Sequence, residues 1–142
     1  MKPGKRVLFL CTGNSCRSQM AEAIVNAQPG SEWQAFSAGT IPAGFVHPMA
    51  IQVLEEIGIH FEGRSKSVEE FYNSSFDLVV TVCDSAAEEC PIWLGEGVRI
   101  HLGFPDPAKA VGSPEKILAA FRQVRDDIAL KIPELLANIQ LS

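Results

Sequence analysis

The chain has 142 residues, of which 46% are apolar and 20% charged, a balance that excludes a disordered protein and gives enough apolar material for one ordinary core. Twelve Lys and Arg against 17 Asp and Glu leave a formal charge of −5, so the overall field repels polyanions, and neither nucleic acid nor an anionic membrane is an expected partner. A single domain spanning 1–142 is expected, as a monomer in the cytoplasm: no run reaches the about 18 apolar residues of a membrane helix, and Val7 to Cys11 behind Lys2, Lys5 and Arg6 is too short for a signal peptide.

In chain order, Val7 to Leu10 is a continuous apolar run, the pattern of a strand buried on both faces. Ser18 to Ala27 places Met20, Ala23, Ile24 and Ala27 at helical spacing, ending at Pro29-Gly30. Gln34 to Ser37 is a weak strand before Ala38-Gly39. Pro48 to Ile57 is a helix with Ala50, Val53, Leu54 and Ile57 on one face and Gly58 as its C′ residue. Ser67 to Tyr72 is a short helical stretch, Asp77 to Val82 a second buried strand, and Val98 to Leu102 a third. Glu115 to about Ile132 is the last helix, capped by Ser113 with Pro114 at its first position, and Pro133 is expected to kink or stop it. Alternation of this kind predicts an α/β fold, a parallel sheet sandwiched between helices, with ligands at the carboxyl ends of the strands.

Cys11-Thr-Gly-Asn-Ser-Cys-Arg17-Ser18 lies directly between the first strand and the first helix. A short glycine-bearing loop entering a helix aims several N–H groups at one point, and the helix dipole reinforces them, which makes an anion cradle. In the pattern CxxxxxR, Arg17 can close on a tetrahedral oxyanion with a two-pronged fork, while Cys11 lies at the base of the cup. The field that holds an anion also favours a thiolate, so Cys11 is the candidate nucleophile. Thr12, Gly13, Asn14, Ser15, Cys16, Arg17 and Ser18 form the expected oxyanion-binding loop, with Cys16 in a packing or hydrogen-bonding role. His47, His60 and His101 show no metal spacing and are expected to be structural or at the surface; Trp33 and Trp93 are expected to pack.

This segment, with Asp106-Pro107, resembles the low-molecular-weight tyrosine phosphatase fold, and the longer string from Cys11 to Glu22 resembles the thioredoxin-coupled arsenate reductases built on it. The likeness continues through Ser37-Ala-Gly39, Leu78 to Cys83, Cys90-Pro91, His101 to Pro107 and Arg122 to Ile128. It implies a three-layer sandwich with a four-stranded parallel sheet flanked by helices. It also implies an arsenate or phosphate-like oxyanion as substrate, Asp106 as the proton donor to the leaving oxygen, and a relay in which the disulfide passes from Cys11 and Cys83 to Cys83 and Cys90. Thioredoxin, or another dithiol donor such as glutaredoxin with glutathione, would then reset the enzyme. Were the segment between Cys83 and Cys90 helical, their Cα atoms would stand about 10.5 Å apart, beyond the about 4.4–6.8 Å of a disulfide, so oxidation would have to unwind the stretch near Asp84 to Glu89 and carry Trp93 with it.

Hydrolysis of phosphomonoesters needs the same Cys11, Arg17 and Asp106, and a plain phosphate-binding module needs only the cradle. Ala108, where the phosphatases carry an aromatic, and Gln19, where they carry proline, favour the reductase; Pro105 departs from the Gly-Phe-Asp-Asp-Pro string common among the reductases and would stiffen the loop of Asp106. Some members of the family bind potassium through an asparagine, a glutamate, a serine and an aspartate. Asn14, Glu22 and Ser37 match the first three, whereas Arg64-Ser-Lys-Ser-Val68, aligned with the last, has no acid, which weakens the potassium expectation and leaves Arg64 or Lys66 as the source of positive charge.

Overall fold

A computed structural model describes residues 4–84 and 92–140. Cys90 and the stretch expected to unwind on oxidation lie largely outside them. Four strands, β1 (Lys5–Cys11), β2 (Trp33–Gly39), β3 (Leu78–Thr81) and β4 (Val98–His101), form one parallel sheet in the order β2-β1-β3-β4. Three helices accompany them: α1 (Arg17–Asn26), α2 (Pro48–Glu55) and α3 (Pro114–Asn138). The expected α/β sandwich is therefore the fold of this chain.

The strand burial follows from position in the sheet. In β1, which pairs with strands on both sides, Val7 to Leu10 are fully buried; Val7, Phe9 and Cys11 face the helices, while Leu8 and Leu10 face the other way. All three α-helices contribute to the larger cluster, with Met20 and Ile24 of α1, Val53 and Leu54 of α2, and Phe121 and Ile128 of α3. The opposite face is covered by a 3-10 turn at Val68–Phe71 together with Phe36, Phe76 and Trp93. Trp93 is buried there, its indole N–H bonded to the Glu96 carbonyl at 2.9 Å and its ring edge-on to Phe76, which bears out a packing role. Edge strand β4 alternates half-buried Val98 and Ile100 with exposed Arg99 and His101, so it is less buried than its apolar residues suggest.

Helix ends follow the local rules. Ser113 Oγ accepts the Lys116 N–H at the start of α3, and Gly58, at φ +84°, closes α2 with the crossed bonds Ile59 N–H to Leu54 O and Gly58 N–H to Glu55 O. The expected end of the last helix at about Ile132 is corrected, for α3 continues through Pro133 to Asn138. A proline in mid-helix removes one hydrogen bond and crowds the carbonyl four residues back, but Ile128, Ile132 and Leu136 anchor both sides of the break in the core. Among the described residues no helix is long and apolar enough to cross a membrane.

Candidate active site

The β1–α1 loop is fixed from outside by its carbonyls. Thr12 O accepts the Ile41 N–H, Gly13 O accepts the Ala43 N–H and the Ser65 hydroxyl, and Ser15 O accepts the His47 N–H. In a trans peptide the following N–H points opposite to the carbonyl, so the N–H groups of Gly13, Asn14 and Cys16 turn toward the inside of the loop. The Asn14 N–H confirms that direction: it points at Cys11 Sγ, 3.3 Å away. Cys16 places no side-chain cap on α1, which leaves that end of the helix open toward the same cup.

Asn14 is the keystone of the loop. It holds φ +48°, a left-handed conformation that asparagine tolerates better than most residues, and it is fully buried. Its Oδ1 accepts the Lys66 backbone N–H at 2.7 Å and Gln19 Nε2 at 2.9 Å, and its Nδ2 donates to Ser18 Oγ at 2.8 Å. Ser18 Oγ in turn lies 2.8 Å from Cys11 Sγ. Either group can donate in that contact; with the sulfur as thiolate the serine proton is the donor and joins the Asn14 N–H on Cys11. Gly39, at the end of β2, permits this approach: a Cβ there would strike the backbone of Cys11, Thr12 and Asn14.

Arg17 is almost wholly buried, at 4% side-chain exposure, with Nη1 donating to Phe104 O at 3.1 Å and Nη2 lying 3.7 Å from Asp106 Oδ2. Asp106 also accepts the Ala108 N–H and so starts the 3-10 turn Pro107–Lys109. Arg17 and Asp106 thus face each other across an opening. A cavity of about 260 Å³ there is lined by Cys11, Cys16, Arg17, Phe45, His47 and Asp106. Another, of about 410 Å³, adjoins it along Gly13, Arg17, Ile41 and Lys109.

The two loop cysteines differ in kind. Burial, with the nearby Asp106 carboxylate, pushes the Cys16 thiol from its ordinary 9.0 up to about 12, so Cys16 stays protonated and packs. Cys11 is the thiol with donors aimed at it. Cys83 directly follows the β3 region, next to β1, and the register Leu10 with Thr81 puts it two residues beyond that pair. It is fully buried and disulfide-bonded, whereas Cys11 and Cys16 are free thiols.

The histidines are structural or exposed. His47 Nδ1 accepts the Met49 N–H as the cap of α2, its ring lies 4.6 Å from Phe121, and burial holds it below its ordinary 6.5. His60 stands exposed between Glu55 and Glu62, and His101 bonds Thr81. Among the described residues no group of three or more His, Cys, Asp or Glu could hold a metal ion. Gly39 and Phe104 complete the site from positions that sequence reading did not assign to it, Gly39 alone leaving a local signal, a glycine ending a strand beside the loop; Gln19 and Lys66, named above for their place in the family comparison, are the two donors to Asn14 Oδ1.

The chain matches the low molecular weight phosphotyrosine protein phosphatase family over residues 6–142. It is 47% identical over 129 residues to an arsenate reductase of Halalkalibacterium halodurans, covering 90% of this chain and 92% of that protein. Against an arsenate reductase of Bacillus subtilis the identity is 42% over 132 residues, covering 92% and 94%. The crystal structure of an arsenate reductase from Archaeoglobus fulgidus has the same fold, with a TM-score of 0.78 and 30% identity over 93% of this chain and 99% of that one. In sequence and in fold, the chain belongs to the low molecular weight phosphotyrosine protein phosphatase family, with arsenate reductases among its relatives.

Proposed function

We propose that this protein reduces arsenate to arsenite by a relay through Cys11, Cys83 and Cys90, and that thioredoxin resets it in the cytoplasm. The observation that carries the reading is the pairing of a cup built for a tetrahedral oxyanion, with Cys11 at its base, and a second thiol position, Cys83, following the neighbouring strand. A disulfide on Cys83 beside a free Cys11 is the arrangement that such a relay leaves once the bond has moved off the nucleophile. Relatives named arsenate reductases support the same reaction.

The steps balance as follows. Arsenate binds to the loop N–H groups from Thr12 to Arg17 and to the Arg17 fork. Cys11 thiolate attacks arsenic, an As–O bond breaks, and Asp106 gives its proton to the departing oxygen. Cys83 thiolate then attacks Cys11 Sγ; the S–As electron pair passes to arsenic, which leaves as arsenite, and a Cys11–Cys83 disulfide forms. Cys90 thiolate attacks Cys83, Cys11 thiolate departs, and the dithiol of thioredoxin reduces the Cys83–Cys90 bond.

Phosphomonoester hydrolysis is the second reading, since Cys11, Arg17 and Asp106 suffice for it and Phe45 gives the cavity an apolar wall suited to an aryl group. One pair of assays separates the two: NADPH oxidation through thioredoxin reductase, thioredoxin and arsenate, beside hydrolysis of an aryl phosphate. Cys83→Ser and Cys90→Ser are each expected to stop arsenate turnover and to leave any hydrolysis unchanged. Wild-type rates of arsenate turnover in both variants would rule out the relay.

A further inference from the structure

Joined to the cradle through Asn14 lies a second set of polar groups. Glu22 of α1 accepts the Ser37 hydroxyl of β2 at 2.8 Å, and the same oxygen, Oε1, stands 3.6 Å from the Lys66 ammonium. Both charged side chains are largely sheltered, at 11% exposure for Lys66 and 15% for Glu22. The ammonium also donates to Arg64 O at 2.8 Å. The backbone of Lys66 is equally engaged: its N–H holds Asn14 Oδ1, and its carbonyl accepts the Gly39 N–H at 2.9 Å.

These oxygens do not suit a dissolved potassium ion. Asn14 Oδ1 already accepts two N–H donors, and Glu22 is already matched by an ammonium. The charge reasoning is simple. A sheltered carboxylate under an anion cup repels both the bound anion and the thiolate unless a cation balances it. Burial draws the Lys66 ammonium below its ordinary 10.5, and the Glu22 carboxylate opposes that shift.

We infer that Lys66 is a positioning residue for the Cys11 cradle: its ammonium is a built-in counter-charge for Glu22 in place of a dissolved monovalent cation, and its backbone N–H fixes Asn14, which orients Ser18 against Cys11. The inference rests on the reading of the cradle as an oxyanion site. It makes the protein indifferent to potassium.

The test uses the full chain and two readouts: the Kd for inorganic phosphate, and the rate at which iodoacetamide alkylates Cys11 at neutral pH. Each is measured in potassium chloride and in tetramethylammonium chloride at equal ionic strength. Wild type is expected to give the same values in both salts. Lys66→Met should bind phosphate about tenfold more weakly, as for other partners one bond removed from a binding group, and its Cys11 should alkylate more slowly. Lys66→Arg should keep most of the wild-type behaviour, and the double variant Glu22→Gln/Lys66→Met, which removes both charges, should regain it. A saturable gain of wild-type phosphate affinity with potassium would overturn the inference, as would wild-type affinity in Lys66→Met or no recovery in the double variant. Should Lys66→Met fail to fold alone, the double variant decides the matter in the same way. A wild-type protein that binds no phosphate would instead overturn the cradle reading, and the alkylation rates would still report on Lys66.

Discussion

Among the polar networks of the described residues, one lies under the cradle and one between α2 and α3, and they differ in what surrounds them. Under the cradle, Asn14, Ser18, Gln19, Glu22, Ser37 and Lys66 are sheltered, and nearly every polar atom has a partner, Gln19 Oε1 being the exception among the described residues. Between the helices, Glu56 takes three bonds from the half-exposed Arg122 guanidinium, two of them from Nε, and one from Arg125 Nη1, which also reaches Val53 O. The second network has more formal charge and shorter ion pairs, yet water stands ready to replace its partners. The first has few charges and no such reserve. Its bonds lead through Ser18 to the Cys11 sulfur, so its value is geometric, whereas the clamp ties two helices together at the surface.

The largest effect is expected at the mouth of the sheltered region. Cys11→Ser should abolish arsenate reduction and any aryl phosphate hydrolysis, since it removes the sulfur on which the proposed mechanism begins. Arg17→Ala should lower turnover by about 10²–10³, the usual cost of losing a donor aimed at developing charge, and Arg17→Lys should rescue little because an ammonium cannot form the fork. Steady-state assays of purified variants check both. Turnover by Cys11→Ser above a few per cent of wild type would place the chemistry elsewhere.

The comparison is sharpened at Asn14. Asn14→Ala leaves the Lys66 N–H without its acceptor, takes one of three acceptors from Gln19 Nε2 and forces alanine into a left-handed φ. Backbone strain of about 1–2 kcal/mol and an unpaired donor at about 1–3 kcal/mol make a loss of roughly 3 kcal/mol the expected result in urea unfolding. Asn14→Gly should recover the strain and not the hydrogen bonds. Equal stability of the two variants would show that conformation contributes nothing there.

The smallest effect belongs to the clamp and has a pH signature. The Arg122 guanidinium, with Arg125, holds the Glu56 carboxyl down from its ordinary 4.5 to about 2. A carboxyl with a depressed folded value stabilises the fold above its unfolded value and loses that contribution as the pH falls through the folded one. Glu56→Gln should therefore be modestly less stable than wild type at neutral pH, with the gap closing between about pH 4.5 and 2. Thermal unfolding across that range checks it, and activity at neutral pH should be untouched. A gap that stays constant down to pH 2 would mean that Glu56 acts by packing.

Much of this architecture was legible because its causes are local. Val7 to Leu10 read as a two-sided strand because the strand lies between two neighbours, and the loop from Cys11 to Ser18 read as a cradle because glycine, asparagine and a helix start are adjacent in the chain. What stayed hidden comes from afar. Lys66 meets Asn14 across 52 positions, and Phe104 meets Arg17 across 87, and no spacing rule connects them. Pro133 shows the converse: a local rule placed the end of the helix at about Ile132, and core contacts of Ile132 and Leu136 on either side of the proline carried the helix through.

The anchoring of Arg17 on Phe104 sets an order in time. A growing chain lengthens at about 5–20 residues per second, so the 87 positions between these residues separate their synthesis by roughly 4–17 s. Throughout that interval the Cys11 loop is unfinished: Arg17 lacks the Phe104 carbonyl, β1 lacks β3 as a neighbour until residue 81 is made, and the sulfur proposed as nucleophile lacks the shelter of the folded site. The nascent protein therefore carries a period of chemical vulnerability whose length is set by the distance along the chain between its first strand and the loop that follows its last.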